Sequence, residues 1–336
     1  MQLDEKASEI VLQSLRDAIP SRWPAKVEEL RTLYNSRSSA TLAEFMYESG
    51  LDLGEVYEGN RGWSDLCEAA AVPVLPSGEH ETSLRRAVGR LLHIDDDERI
   101  DAYQQFLASP AAPDVAGLNE RDRRLIRMLV ASAADQILAR DNTLQEAVDV
   151  LWAHPQVRAE LVELLAQLDE RVDHVHHRLD SYPDVPLQVH ARYSRIEILA
   201  AFGVSEGAKV AAWQSGVFEA RAANAELFAF TLDKTSGAFS PTTRYRDYAI
   251  SRDLIHWESQ SMTRADSATG LRYRNHVRDA RSIMLFTRLR ADDRAFWFLG
   301  PATYKGHIGE KPMAITWELT HPLPGDLFAS FAAAVA

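Results

Sequence analysis

Arginines, aromatic rings and small hydroxyl side chains are concentrated between residues 234 and 264 more densely than elsewhere in the chain. Cations interleaved with flat rings are what a surface needs to hold a phosphate backbone and to stack a base. The side chains that could contact a base are Tyr245, Asp247, Tyr248, Trp257, Ser259 and Gln260. The cations that could contact phosphates are Arg244, Arg246, Arg264, Arg272, Arg274 and Lys305. The same residues also fit a purely structural alternative. In it the segment is a pair of strands whose aromatic rings belong to the hydrophobic core and whose charged side chains are exposed to solvent.

The spacing of residues within 254–261 is relevant to both the base-binding and the structural interpretation. If this segment is a strand, Trp257 and Ser259 share one face and Gln260 lies on the other. Trp257 could then form the floor of a pocket for a planar ring, or it could be a core residue, which is the commoner case for an isolated tryptophan. Asp247, Ser259 and Gln260 carry polar groups that could contact the edge of a base.

The motifs that would indicate catalysis are missing. The sequence contains no P-loop, no G-x-G-x-x-G, no H-E-x-x-H and no G-x-S-x-G. We therefore predict no catalytic residue, no cofactor and a chain that is not itself an enzyme. On a helix, only His174 and His177 of the cluster His174, His176 and His177 could share an ion, so a solvated helix end is favoured over a metal site. The single cysteine, Cys67, excludes an internal disulfide and a cysteine-rich zinc site.

The charge is distributed unevenly along the chain. The net charge is −12 over 336 residues, which taken as a whole argues against nucleic acid. Residues 186–336 nevertheless contain 18 Lys and Arg against 15 Asp and Glu, and residues 234–290 contain 11 against 5. An acidic first half therefore conceals a basic patch in the second half, and the distribution rather than the total is informative.

The spacing of apolar residues changes along the chain from a helical to a strand-like repeat. It predicts two domains, an all-α domain at 1–185 and a mostly-β domain at 186–336. Two prolines within Ser181–Pro186 suit neither a helix nor a central strand and mark the boundary. Helical periodicity and polar caps predict helices at about 4–18, 21–34, 41–50, 61–71, 82–93, 97–108, 119–139, 143–152 and 155–179.

The period changes to two after the boundary, following a short predicted helix that begins at Ser194 and ends at Gly203. Alternation and branched or aromatic residues predict strands at 208–213, 216–221, 226–232, 253–261, 281–288, 295–299 and 312–319. Such short strands favour a small barrel or a strongly curved sheet over a βαβ fold, so we expect an α+β multidomain chain. No apolar run approaches the roughly 20 residues that cross a bilayer, and the acidic N-terminus is unlike a signal peptide. We therefore expect no membrane partner and a cytoplasmic location.

Several runs in the second half resemble a known family, the domain of unknown function 3427 (DUF3427). They are Tyr193-Ser-Arg-Ile-Glu-Ile-Leu, Thr231-Leu-Asp-Lys, Phe239-Ser-Pro-Thr-Thr-Arg-Tyr-Arg-Asp-Tyr-Ala-Ile-Ser, His256-Trp-Glu-Ser-Gln-Ser, Phe298-Leu-Gly-Pro-Ala and Pro312-Met-Ala-Ile-Thr-Trp-Glu-Leu. The resemblance covers about 190–332, and residues 3–185 look similar to the helical coupler that precedes this domain. Members commonly end large bacterial proteins that carry a phospholipase-D-like nuclease and a superfamily-2 helicase. Among these are modification-dependent (type IV) restriction enzymes.

The resemblance implies a task as well as a fold. It implies an SRA/PUA-like barrel that extrudes 5-methylcytosine or a related base from double-stranded DNA and holds it between rings. It also implies helicase and nuclease domains as partners, in cis or in trans, since their motifs are missing from this sequence, and a bacterial cytoplasm. The alternative function is a protein-interaction scaffold that docks onto a helicase or nuclease without specificity for a modified base. An autonomous hydrolase would need a nucleophile and a base that the sequence does not supply.

Overall fold

A computed structural model describes residues 23–138, 142–204, 210–232 and 247–334, and helices fill the first part of this range. They are α1 (Trp23–Arg37), α2 (Leu42–Ser49), α3 (Leu53–Val56), α4 (Trp63–Ala69), α5 (Glu81–Val88), α6 (Asp97–Leu107), α7 (Glu120–Ala134), α8 (Leu144–Trp152) and α9 (Pro155–Asp169). Capping boxes at Thr41 and Thr143 start α2 and α8, because each hydroxyl accepts from the amide three residues on while the glutamate there accepts in return. The predicted helix at 4–18 lies outside the described residues.

Helix α9 is shorter than the sequence predicts. It ends at Asp169 and not near 179, because its buried apolar stripe stops at Leu168 while Val175 is exposed. His177 lies instead in a short strand, β1 (His177–Arg178), paired antiparallel with β2 (Gln188–Val189). The prediction that His174, His176 and His177 share a helix is therefore wrong.

The second part is a predominantly β structure with an eight-stranded sheet, which confirms the α+β class. Its strands are β3 (Arg192–Ser194), β4 (Val217–Ala220), β5 (Ala225–Thr231), β6 (Tyr248–Ala249), β7 (Leu254–Glu258), β8 (Ser282–Arg288), β9 (Ala295–Ile308) and β10 (Ala314–Leu319). Three further helices are α10 (Arg195–Ala201), α11 (Ala268–Arg274) and α12 (Gly325–Ala334). The strand predicted at 208–213 is not formed in its described part, residues 210–213, and β9 runs well beyond the predicted 295–299.

The sheet is open and strongly curled. Its order is β4-β5-β8-β9-β10-β7-β6, with β3 added beside β9; β5 and β8 are parallel and the other pairs antiparallel. Phe228 on β5 nevertheless stacks on Trp257 on β7, with ring centroids 4.4 Å apart. Rings on strands with three other strands between them in the order can meet only if the sheet curls around them. Among the described strands the pairing does not close on itself, so the closed barrel of the prediction is not observed.

The hydrophobic core continues across the predicted domain boundary. The concave face of the sheet encloses one cluster that includes Phe228, Trp257 and Trp317. Residues of the opposite face, such as Phe286 and Phe298, belong to one continuous cluster with the helices of the first part, and α10 packs against α7. Burial of this shared apolar surface stabilises the packing of the helical part against the sheet.

A buried ionic junction reinforces that contact. Arg99 on α6 is fully buried, and its Nη1 donates to Glu197 Oε1 at 3.0 Å while Nη2 donates to the Arg192 carbonyl at 2.7 Å. Its guanidinium also pairs with Asp96 and lies 4.0 Å from the centroid of the Tyr193 ring. A buried charge requires this degree of compensation, so the junction fixes the position of β3 and α10 on the helical part.

Candidate functional site

A cavity of about 260 Å³ lies at the mouth of the curled sheet, and we call it the sheet-mouth cavity. Asp247, Trp257 and Gln260, three of the residues that the sequence predicts for a base, line it. Arg195 and Arg288, which the sequence analysis does not single out, also line it. The cavity therefore combines an apolar ring, hydrogen-bonding groups and two cations.

Asp247 is held at this mouth by the pairing of β6 with β7. Its side chain is buried, and Oδ1 accepts a hydrogen bond from the backbone amide of Glu258 at 2.9 Å. A carboxylate offers about four acceptor positions over its two oxygens, so Asp247 can accept several hydrogen bonds at once. Gln260, just beyond β7, is exposed and brings an amide to the same cavity.

Trp257 is primarily a core residue that also forms part of the cavity wall. It is 4% exposed, stacks on Phe228 and meets Tyr273 edge-on at 5.8 Å. Ser259 is fully buried and lies outside the cavity lining. Its hydroxyl accepts from the Met313 amide at 2.9 Å and its own amide donates to the Met313 carbonyl at 2.9 Å, so it fastens the segment beyond β7 to the chain entering β10.

The remaining predicted base contacts are not brought to the cavity. Tyr248 stacks on His256, with centroids 4.5 Å apart and planes 13° from parallel, and it is not part of the lining. Arg244, Tyr245 and Arg246 lie outside the described residues.

The predicted phosphate contacts that are described all bond to protein groups. The pairs are Arg264 with Asp266 (2.9 Å), Arg272 with Glu226 (2.8 Å), Lys305 with Glu318 (3.1 Å) and Arg274 with the Ala265 carbonyl (3.2 Å). None of the four cations lines the sheet-mouth cavity. Of these pairs, that of Arg272 is structural, because Glu226 is fully buried and its charge needs a partner.

A second cavity of about 400 Å³ adjoins the first, and we call it the arginine cleft. Four cations line it, namely Arg90, Arg195, Arg288 and Arg294. Within the part of the chain that the structure describes, no carboxylate lies within the 4.0 Å of an ion pair from any of them. Arg195 and Arg288 line both cavities, so the two spaces adjoin at these side chains.

The two shared arginines are held in place by neutral groups. Arg288 Nε donates to Thr231 Oγ1 at 3.0 Å, and Arg195 Nη1 donates to the Trp213 carbonyl at 3.3 Å. The Phe296 ring lies 5.3 Å from Arg195 Cζ and 4.8 Å from Arg288 Cζ. These contacts orient the guanidiniums without neutralising them.

The electrostatics of the arginine cleft are correspondingly unfavourable to positive charge. Burial and the neighbouring Arg288 lower the pKa of Arg195, and burial and Arg294 lower the pKa of Arg90. Arg195 Nε is also buried without a hydrogen-bond partner among the described residues. An anion in the cleft would relieve both the repulsion and the unmet donor.

Sequence reasoning missed these arginines for identifiable reasons. Arg195 follows Ser194 inside a capping box, and Arg288 ends an apolar strand. Their sequence positions therefore indicate a helix start and a strand end, and neither position indicates a binding site. Only the fold brings them together. One local signal could have indicated the site. Two arginines, in the run Arg288-Leu-Arg290, stand at the end of a predicted core strand.

The described residues contain neither a candidate metal site nor a candidate membrane span. No group of three histidine, cysteine or acidic residues is arranged there to hold a metal ion. No helix there has the length and apolar character needed to cross a membrane.

The comparison with known families bears on the second part of the chain. No curated protein matches the sequence. The family model of DUF3427 matches residues 187–331, which contain Arg195, Asp247, Trp257, Gln260 and Arg288. The chain therefore contains a DUF3427 domain, a domain of unknown function, over residues 187–331.

Proposed function

We propose that the chain is a non-catalytic DNA-recognition module that receives a flipped modified base, 5-methylcytosine or a related one, in the sheet-mouth cavity. The observation that carries the proposal is the shared edge of the two cavities. There, Arg195 and Arg288, without carboxylate partners among the described residues, line the same cavity as Asp247 and Gln260. A base and the phosphates that flank it need such neighbouring neutral and cationic surfaces.

The chemistry of the cavity suits a pyrimidine. The Asp247 carboxylate accepts from the exocyclic amino group of cytosine, and the Gln260 amide offers both a donor and an acceptor to the ring edge. Trp257 and Phe230 supply apolar wall against which a ring and a methyl group can pack. At about 260 Å³ the cavity lies just below the roughly 300–1,000 Å³ of ligand sites, which favours a single base over a larger ligand.

The wider setting of the proposal rests on the family resemblance. In it the curled sheet is an SRA/PUA-like barrel in outline, and the helical part couples base recognition to helicase and nuclease domains of a type IV restriction system. Such a system would act in the bacterial cytoplasm. The shared core and the buried Arg99–Glu197 contact support coupling, since a displacement of β3 and α10 must also disturb α6.

The Asp247→Asn variant tests the role of the cavity. Asparagine keeps an oxygen that can accept from the Glu258 amide, but it removes the charge and part of the acceptor capacity. We expect the affinity for the methylated duplex to fall by about 10- to 100-fold, which corresponds to roughly 1–3 kcal/mol for one base-edge contact. Competitive gel shifts at a fixed salt concentration measure the affinity of the variant relative to that of the parent.

Asp266→Asn is the matched control, because Asp266 is exposed and pairs with Arg264 away from the cavity. It should leave the affinity for the methylated duplex unchanged. An Asp247→Asn protein that binds the methylated duplex as tightly as the parent contradicts the assignment of the base edge. A parent protein that binds no DNA even at low salt would favour the alternative function, a protein-interaction scaffold.

A further inference from the structure

We propose that the arginine cleft holds two phosphate groups of the DNA strand whose base enters the sheet-mouth cavity, so that this strand crosses the junction between the helical part and the DUF3427 domain. The inference rests on the proposed function but adds a route for the strand. It assigns the backbone contacts to Arg90, Arg195, Arg288 and Arg294, none of which belongs to the basic residues predicted from the sequence.

The four arginines come from separate segments that converge on one space. Arg90 follows α5 in the helical part, Arg195 begins α10, Arg288 ends β8, and Arg294 immediately precedes β9. Bringing like charges together opposes folding unless another interaction compensates. Their convergence without ion-pair partners in the described chain therefore points to a ligand as the compensating charge.

The acidic residues of the cleft supply only part of that compensation, since Asp292 and Asp293 attract Arg288 without forming an ion pair with it. Asp135, Asp292 and Asp293 also line it. Asp292 pairs with Arg290 at 3.0 Å, and Asp293 Oδ2 accepts from the Arg290 amide at 2.8 Å. Asp135 lies beyond ion-pair distance of Arg90, on which it exerts only a longer-range attraction.

The arrangement of the cations indicates two phosphate positions. Arg195 and Arg288 line both cavities, whereas Arg90 and Arg294 line the arginine cleft alone, so the four cations fall into two pairs. Planar guanidinium groups match phosphate oxygens in a bidentate fashion. The hydroxyl of Ser132, which is buried without a partner in the described chain, lines the same space and can donate to a phosphate oxygen.

The shared boundary of the two cavities points to a nucleic-acid strand as the ligand. The pair formed by Arg195 and Arg288 borders the sheet-mouth cavity, which is of a size for one ring, while the pair formed by Arg90 and Arg294 lies in the arginine cleft alone. The protein thus presents a base-sized cavity, then one phosphate position, then a second phosphate position. A base, its adjacent phosphate and the next phosphate follow in the same order along a polynucleotide strand. A phosphoserine or phosphothreonine peptide presents no ring beside its phosphate, and a phosphotyrosine carries its phosphate on the ring itself, with no second phosphate spaced along the same backbone.

Salt dependence of DNA affinity tests the route. Fluorescence anisotropy with a short fluorescein-labelled duplex carrying one 5-methylcytosine gives the slope of log affinity against log salt concentration. We expect Arg90→Gln and Arg294→Gln each to reduce the magnitude of that slope by about 0.9, the value for one lost phosphate contact. Arg86→Gln, an exposed arginine of α5 outside the cleft, should leave it unchanged.

The outcomes separate this inference from the proposed function. Equal affinity for methylated and unmethylated duplexes, with the slope still reduced in Arg90→Gln and Arg294→Gln, would refute base reading and support the cleft. If the protein still prefers the methylated duplex but the salt slopes of Arg90→Gln and Arg294→Gln equal that of Arg86→Gln, phosphate binding in the arginine cleft is refuted and base recognition still holds. No binding of any duplex at low salt would overturn both. Two variants are used because Arg294 is exposed and its replacement leaves packing undisturbed.

Discussion

Replacing Glu197 with glutamine probes the junction that holds the DUF3427 domain against the helices. The Glu197 carboxylate is fully buried, accepts from Arg99 at 3.0 Å and from Ser194 Oγ at 2.6 Å, and lies 2.6 Å from His93 Nε2. Burial alone would raise the pKa of this carboxyl, but His93, Arg99 and Ser194 outweigh burial and lower the pKa to about 2. The folded protein therefore strongly favours the charged form.

The pKa sets the size of the effect. An unfolded glutamate has a pKa of about 4.3, so a folded pKa of about 2 corresponds to roughly 3 kcal/mol of stability at neutral pH. That contribution is present above the unfolded pKa and is lost as the pH falls toward 2. Removing one partner of a buried ion pair costs a similar 3–5 kcal/mol, approximately. We expect Glu197→Gln to lower the free energy of unfolding by about 3 kcal/mol.

Urea denaturation followed by tryptophan fluorescence and by circular dichroism measures this loss. Both signals should show one coincident transition, because the core is continuous between the two parts. Glu120→Gln is the control, since its pair with Arg124 is partly exposed and should contribute less than about 1 kcal/mol. A loss below about 1 kcal/mol in Glu197→Gln, or two separate transitions in the parent, would refute the reasoning.

Two further predictions concern stability. Burial and the neighbouring His177 lower the pKa of His190 to about 4, and an unfolded histidine has a pKa of about 6.5. The unfolded state therefore takes up the proton first, so stability should fall by at most about 1.4 kcal/mol per unit as the pH drops from 6.5 to 4. His190→Asn, which tolerates the observed φ of 77°, should flatten the plot of Tm against pH; an unchanged plot contradicts this origin. Trp257→Ala should cost roughly 3–5 kcal/mol in urea denaturation, whereas a loss below about 1 kcal/mol would show that the ring is not a core residue.

Local signals explain how much of the fold was predictable. The capping boxes at Thr41, Thr143 and Ser194 fix helix starts through contacts within four residues, and the sequence contains them in full. The alternation along β7 likewise predicts which of its side chains are buried. Helix α9 was overextended because Val175 continues its apolar pattern in sequence but stays exposed in the fold.

The candidate site was less accessible to prediction because charge pairing is a tertiary property. Asp247, Trp257 and Gln260 are close in sequence, and composition alone placed them in one region. Whether an arginine is neutralised depends on distant residues. Arg272 faces the buried Glu226, whereas Arg195 faces Arg288, and no local pattern distinguishes the two cases.

Affinity for two duplexes that differ by a single methyl group on one cytosine tests the central claim most directly. Equilibrium anisotropy with the unmodified protein, at one fixed salt concentration, gives both dissociation constants. A base held in the sheet-mouth cavity predicts binding at least about tenfold tighter to the methylated duplex, or roughly 1.4 kcal/mol. Equal dissociation constants for the two duplexes would contradict recognition of 5-methylcytosine.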